Sequence, residues 1–525
     1  MSVWTPDNGD GTFKNPLMWG DWPDPDIIRV GDDFYFISTS MHYVPGCPIA
    51  TSKDLVNWRM AGYAVPRYDE DSAWNFDGGA MYLNGSWAAT IRHHNGLFYV
   101  GFSTPPHHAG VTGDRGTGRG RFSMCVAKDV KGPWKRVIFP ENLYDPGLLF
   151  DDDGKVYVAH GQNTLYVTEL AADALSVKGP AKQVFTGLHS EGCHFYKIGG
   201  RYYITGPTGG TTGRQICLRS DSPYGPYEVK EICNDASSYP PNGLHQGGMV
   251  QLKNGDWWFV IMQDRDGIGR VPHLVPVKWV DGWPMLGERG EGKGVIVATK
   301  PAAGDRVPVE VPATSDDFAA RELGLQWQWN HNPDDAAWSL AERPGYLRLK
   351  AGKSASLWLA RNTLTQRTQG PACDGIAVLN LEGLRDGSVA GLGIFESPYA
   401  YLAIKRDNGV NRIVMAQGTK GSDAQLEKEI AVVPSFTGKT VWLKASVTHA
   451  DGGRATFSWS ADGTHYTPLG GTLRMGLGLY WTANRFALFH FATRPEAVGA
   501  AADFDTFVFR GDNPRVPPLP VRTGR

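Results

Sequence analysis

The chain has 525 residues, 52 Lys and Arg against 54 Asp and Glu, a formal charge of −2, and 41% apolar and 11% aromatic residues. That length predicts two to four domains with large cores, and the scattered, balanced charge excludes a basic stripe for nucleic acid. No apolar run approaches a membrane span. The polar stretch from Met1 to Asn15 lacks the regions of a secretory leader, which favours a cytoplasmic protein unless a leader has been removed.

Near the start, Trp22-Pro23-Asp24-Pro25-Asp26 precedes an apolar run, Ile27-Ile28-Arg29-Val30, and a turn, Gly31-Asp32-Asp33. The prolines remove two backbone donors and bias the residue before each toward extended backbone. Asp24 is thus expected in a stiff, extended segment at the mouth of a strand. Taken alone, Pro-Asp-Pro is better read as a turn with a solvated acid.

Helical periodicity is scarce, and a turn followed by an aromatic strand recurs instead. The copies centre on Tyr35, Tyr99, Tyr157, Tyr203 and Trp258, spaced 64, 58, 46 and 55 residues apart (99−35, 157−99, 203−157, 258−203). Each fits the second half of a β-hairpin after an Asn-Gly, Asp-Gly or Gly-Gly type of turn. A second element also recurs after an apolar strand and ends on an aromatic: Ser52 to Trp58, Ala127 to Trp134, and Arg219 to Tyr227. Repeats of this length with several strands each are the signature of propeller blades, and five copies imply five blades. The competing reading is an irregular β-sandwich with coincidental turns.

From Val297 to Thr314 the composition turns Pro-rich, as expected of a linker. New alternating strands follow, from Tyr346-Leu-Arg-Leu-Lys and Ser356-Leu-Trp-Leu-Ala to Asp503-Phe-Asp-Thr-Phe-Val-Phe, and describe a β-sandwich. The fold class is therefore all-β. The expected boundaries are a propeller over 1–300, a linker over 301–314, a sandwich over 315–512 and a tail over 513–525. The six Cys are widely spread, without a C-x-x-C pair or zinc spacing, so buried free thiols are expected.

A propeller gathers one end of each blade's innermost strand around its axis. Acids near apolar strand ends are therefore the candidates for chemistry. Asp24 is on the first blade, Asp145 lies in Tyr144-Asp-Pro-Gly-Leu, and Glu191 lies in Ser190-Glu-Gly-Cys-His. His245 opens His245-Gln-Gly-Gly, and Arg270 follows Gly269 in the final strand pair. Asp145 could cap a turn, and His245 could be a hydrogen-bonded core histidine. A carboxylate such as Glu191, buried in an apolar setting, is costly without a use. Hydrolysis of a glycosidic bond needs one carboxylic acid to protonate the leaving oxygen and one carboxylate to activate water. A third carboxylate beside them raises the acid's pKa by like-charge repulsion.

These segments, with Pro45-Gly-Cys-Pro-Ile, Gly85-Ser-Trp-Ala88 and Gly324-Leu-Gln-Trp-Gln-Trp-Asn-His-Asn-Pro333, resemble glycoside hydrolase family 43. The similarity is to the group that joins a five-bladed β-propeller to a C-terminal concanavalin-like β-sandwich, and it covers about residues 15 to 510. The resemblance implies that Asp24 is the general base, Asp145 the pKa-tuning and orienting acid, and Glu191 the general acid. It implies that Arg270 lies near the sugar hydroxyls and Trp87 forms an aromatic pocket wall. It also implies that His245 lies near the axis, where in relatives a calcium ion is held through waters. No redox cofactor is implied. This sequence departs from the family at Ala89 and Cys193, where many relatives have Pro. It also has no aromatic in the sandwich loop Thr493 to Ala501, which some relatives insert into the pocket. Asp317 and Asp505 could share a structural calcium or be paired surface acids.

The reading is an exo-acting, inverting glycosidase that removes terminal β-D-xylose or α-L-arabinofuranose from small hemicellulose oligosaccharides, with no nucleic-acid or membrane partner. Self-association is left open. The rivals are a retaining fructan- or sucrose-cleaving hydrolase, whose Asn-Asp-Pro-Asn-Gly and Arg-Asp-Pro motifs are missing, and an inactive carbohydrate-binding protein.

Overall fold

A computed structural model describes residues 3–104, 120–303, 308–421, 427–476 and 482–511. The predicted tail over 513–525 lies outside them. Among the described residues the helical elements are short 3₁₀ turns, and no helix is long and apolar enough to cross a membrane.

Five four-stranded antiparallel sheets form the N-terminal part. Their first strands are Asp26–Val30, Trp87–His94, Gly147–Phe150, His194–Ile198 and His245–Gln251. The first four of these strands are neighbours in turn around one axis, and the fifth packs on Arg201–Thr208 of blade four and returns to the first. The recurrent aromatics all fall on second strands, Asp33–Ile37, Leu97–Thr104, Val156–Gln162, Arg201–Thr208 and Trp257–Asp264.

The turn chemistry explains the repeat. Asn95 and Gly96 have φ of 50° and 76°, and Gly199 and Gly200 have 57° and 83°. Two consecutive positive φ values match the right-handed twist of the strands they join. In the second recurrent element the closing aromatic folds back on its own loop. Trp58 Nε1 donates to Leu55 O (2.8 Å), Trp134 Nε1 to Val130 O (3.2 Å) and Tyr227 Oη to Pro223 O (3.0 Å).

Each pair of adjacent blades buries one apolar cluster. The last of these packs Val250, Trp258 and Val260 of blade five against Ile27, Phe34 and Phe36 of blade one. Thr12–Lys14 pairs with Val297–Thr299 and ties the two ends of the propeller together.

The C-terminal part is a sandwich of two sheets around one core, antiparallel except where Gly352–Lys353 runs parallel to Arg485–Ala492. Its larger sheet takes in Tyr43–Val44 from the propeller's chain, which pairs with Gln328–Asn330. A joint core of Met41, Tyr82, Trp87, Trp358, Tyr401 and Phe489 cements the two domains. One expectation fails there. Ser356 to Ala360 is not a strand, and Leu357–Leu359 is a 3₁₀ turn. Its apolar run is spent on the interface, where Trp358 stacks on Tyr82 at 3.8 Å and 13°. All six cysteines are free and buried, as expected.

Candidate active site

The same backbone event occurs at the mouth of every blade. Asp24, Ala88, Asp145, Gly192 and Gln246 have φ of 51°, 37°, 52°, 57° and 50°. Strand pairing skips a residue at two of these sites, between Trp87 and Thr90 and between His245 and Gly247. Such a bulge re-aims a side chain at a sheet rim. It corrects the expectation of extended backbone at Asp24. Asp tolerates the left-handed region better than other side chains do, but each such residue still costs about 1–3 kcal/mol unless its surroundings hold it there.

The surroundings do hold it. Asp24 is buried, Arg270 Nη1 donates to its Oδ1 (2.7 Å), and Thr39 Oγ1 donates to its Oδ2 (2.6 Å). The Thr39 hydroxyl in turn accepts the Ala88 N–H (2.8 Å). Asp145 is buried too, and its Oδ2 accepts the N–H of Gly192, the residue after Glu191 (3.0 Å). Gly192 suits that place: its φ is 57°, and a Cβ would lie 2.6 Å from Gln246 Cδ.

Burial pushes the Asp145 carboxyl well above the usual range, and the charges of Glu191 and Asp24 push it further, against the Gly192 N–H and Arg270. The Tyr144 phenol is raised by burial and by the same three acids. Glu191 is half-buried, and Gln162 Nε2 donates to its Oε2 (2.6 Å). Cys193 beside it is a buried filler whose thiol burial pushes up.

Asp26 faces the axis two residues deeper. Burial opposes its charge, but Arg92 and His194 hold it well below the usual range. It accepts from Arg92 Nη1 (2.7 Å), Thr90 Oγ1 (2.8 Å) and Ile91 N (3.0 Å), the bonding of a structural floor.

A pocket of about 420 Å³ opens at this mouth, lined by Glu191, Thr208, His245, Gln246, Asp264 and Arg270 among others. Within it Arg270 Nε and Nη2 are buried without a hydrogen-bond partner. Trp87 starts the first strand of blade two, with its indole N–H on Leu83 O (2.6 Å) and its ring in the joint core. A second cleft lies between Trp4, Trp19, Val311 and Pro312, and none of the predicted site residues lines it.

The resemblance implied calcium at His245. Its Nδ1 lies 2.9 Å from Gly243 O, and its Nε2 lies 3.2 Å from Asp264 Oδ2. Burial works against a charge on the ring, but Asp264 outweighs it and raises the pKa. Each ring nitrogen thus already faces a protein oxygen, which leaves neither free for direct ligation of a cation. Among the described residues no group of three or more His, Cys, Asp or Glu could hold a metal, Asp317 and Asp505 included. The described residues thus offer no direct ligand set for the ion, and the contact that the resemblance implies at His245 is one through water.

Sequence reasoning missed Thr39, Gln162 and Asp264. Thr39 sits in a run of small hydroxyl residues, Ser38-Thr39-Ser40, just past the second strand of blade one. Asp264 is a lone acid ending the apolar strand Trp257–Asp264. Both were visible as polar residues at the mouth end of a second strand.

Carboxyl groups and an arginine at one mouth of a five-bladed propeller are the equipment of a glycoside hydrolase. Residues 13–284 match the model of glycosyl hydrolases family 43, and 315–510 match the β-xylosidase C-terminal concanavalin A-like domain. The chain is 31% identical to a β-xylosidase of Formosa agariphila over 97% of its own length and 92% of that protein's. It is 36% identical to a non-reducing end α-L-arabinofuranosidase of Bacteroides ovatus over 65% of each chain. A bifunctional family 43 protein of Bacteroides eggerthii superposes with a TM-score of 0.83 at 34% identity, over 95% of this chain; the match spans 63% of that longer chain. The protein belongs to glycosyl hydrolases family 43 and is a glycosidase.

Proposed function

We propose that the protein is an exo-acting, inverting glycosidase that releases terminal β-D-xylose or α-L-arabinofuranose from hemicellulose oligosaccharides, with Asp24, Asp145 and Glu191 as its carboxyl groups. The observation that carries the proposal is the buried Asp24–Arg270 pair beside Asp145, whose carboxyl is held above the usual range by burial and by the charges of Glu191 and Asp24. The sugars are those named for the relatives, a β-xylosidase and an α-L-arabinofuranosidase.

Three like charges in one buried cluster are unfavourable, so the cluster keeps a proton at a pH where isolated carboxyls have lost theirs. Glu191, the more exposed member, delivers that proton to the leaving oxygen. Asp24, held through both oxygens, orients a water and takes its proton as the water oxygen attacks the anomeric carbon and the glycosidic bond breaks. Asp145 fixes the strand bearing Glu191 and sets the charge of the cluster. The unpartnered Nε and Nη2 of Arg270, in the pocket lining, are donors for sugar hydroxyls. Packing of the sandwich against the mouth residues Trp87 and Tyr144 favours a closed pocket, hence action at a chain end.

No cofactor is needed, because water and two carboxyl groups complete the reaction. Chelation with EDTA is expected to leave the rate unchanged. Activity on chromogenic β-D-xyloside and α-L-arabinofuranoside, with Asp24→Ala and Glu191→Ala as comparisons, tests the assignment. Each variant is expected to lose about 10²–10⁴-fold in kcat on the natural oligosaccharides. Full activity in either variant contradicts the mechanism.

A further inference from the structure

Arg270 is not held by Asp24 alone. Its backbone N–H donates to Asp21 Oδ1 (3.0 Å), and its carbonyl accepts the Trp22 N–H (2.9 Å). The segment before the Pro-Asp-Pro stretch and the segment carrying the arginine are thus clamped together. The clamp requires Gly269, whose φ is 89° and where a Cβ would fall 2.2 Å from Asp21 Oδ1.

Asp21 is itself gripped from the other domain. Arg367 Nε, on the sandwich strand Leu364–Arg367, donates to Asp21 O (2.6 Å) while its guanidinium lies 4.1 Å over the Trp22 ring. Arg367 is buried, as is Arg485, whose guanidinium covers the Tyr43 ring at 3.6 Å. Both arginines act electrostatically on the buried Asp21 carboxyl, as Arg270 does. An unbroken chain of contacts therefore runs from the sandwich through Arg367, Asp21 and Arg270 to Asp24. No apolar contact substitutes for it at the Arg270 backbone, because a buried N–H needs an acceptor.

We propose that Asp21 and Arg367 are positioning residues for Arg270, through which the C-terminal domain fixes the geometry of Asp24. This rests on Asp24 acting as the base. Neither residue lines the pocket at the mouth, so both act on turnover more than on binding. Displacing a catalytic group by about an ångström costs up to about 10²-fold in rate.

The test is steady-state kinetics on a chromogenic xyloside across pH, using full-length Asp21→Ala, Asp21→Asn, Arg367→Met and, as the reference, Asp24→Asn. Asp21→Ala is expected to lower kcat about 10- to 100-fold with KM within about threefold, and to move the acidic limb of the kcat/KM profile to higher pH. Asp21→Asn keeps an oxygen for the same N–H and is expected to restore the wild-type profile. Arg367→Met keeps an apolar stem over Trp22 but loses the donor, and is expected to lower kcat about tenfold with the same shift of the acidic limb. If the alanine variant does not fold, judged by circular dichroism, Arg367→Met decides alone. Folded Arg367→Met with wild-type kcat and pH limb overturns the proposal, and so does an Asn variant as impaired as Ala. An active Asp24→Asn is a different failure: it removes the base assignment on which the proposal stands.

Discussion

Asp24 spends both of its oxygens on protein donors, Arg270 and Thr39, and so enters the reaction already oriented. Preorganisation of this kind is worth most where water is excluded. Thr39→Val removes the Oδ2 donor and leaves the Ala88 N–H without its acceptor. It is expected to lower kcat about tenfold with little change in KM, read from initial rates on a xyloside. Asp145 carries the opposite cost. Its pKa in the folded protein is raised, so its contribution to stability is complete below the ordinary carboxylate pKa and is lost as pH rises through the raised value. Asp145→Asn is therefore expected to lose activity but to gain melting temperature over wild type, by more at pH 8 than at pH 5. Equal differences at the two pH values would contradict this account. The identities of Asp24, Asp145 and Glu191 were legible in the sequence because each stands next to Pro or Gly before an apolar strand. The left-handed backbone of Asp24 and Asp145 was not legible, because the preference of a residue before Pro is local, whereas the hydrogen bonds that hold these acids come from residues far away in the chain.

At the scale of elements, the turn-plus-aromatic repeat was legible because Asn-Gly, Asp-Gly and the loop-closing Trp and Tyr encode their turns locally. The 3₁₀ turn Leu357–Leu359 was not, since an apolar run reads alike whether it pairs in a sheet or plugs an interface. Trp358→Ala would open that interface and is expected to cost about 3–5 kcal/mol in chemical denaturation. Beside it lie two buried histidines, His42 and His331, with ring centroids 5.2 Å apart. Burial holds His331 down to about 3, and burial with His331 and Arg485 holds His42 well below its usual value. Depressed pKa values contribute stability above the ordinary histidine pKa that is lost as pH falls toward the folded values. The melting temperature is therefore expected to fall steeply between about pH 6.5 and 4, and less steeply in His42→Phe, which keeps an aromatic ring there without a proton site.

At the scale of the molecule, the two domains are one catalytic unit. The sandwich borrows Tyr43–Val44 as a strand, shares a core with the mouth of blade two, and reaches Asp21 through Arg367. A propeller expressed alone would expose Met41, Tyr82 and Trp87, and is expected to be insoluble or inactive. Two domains in series were legible from the change of strand rhythm near residue 314, but their mutual dependence was not, because contacts such as Asn330–Tyr82 and Arg367–Asp21 join positions hundreds of residues apart. The central claim is direct attack by a water held at Asp24 on a bond protonated by Glu191. It is tested most directly by proton NMR of the sugar first released from an aryl β-D-xyloside. The account predicts that α-xylose appears first and then mutarotates; β-xylose as the initial product would contradict it.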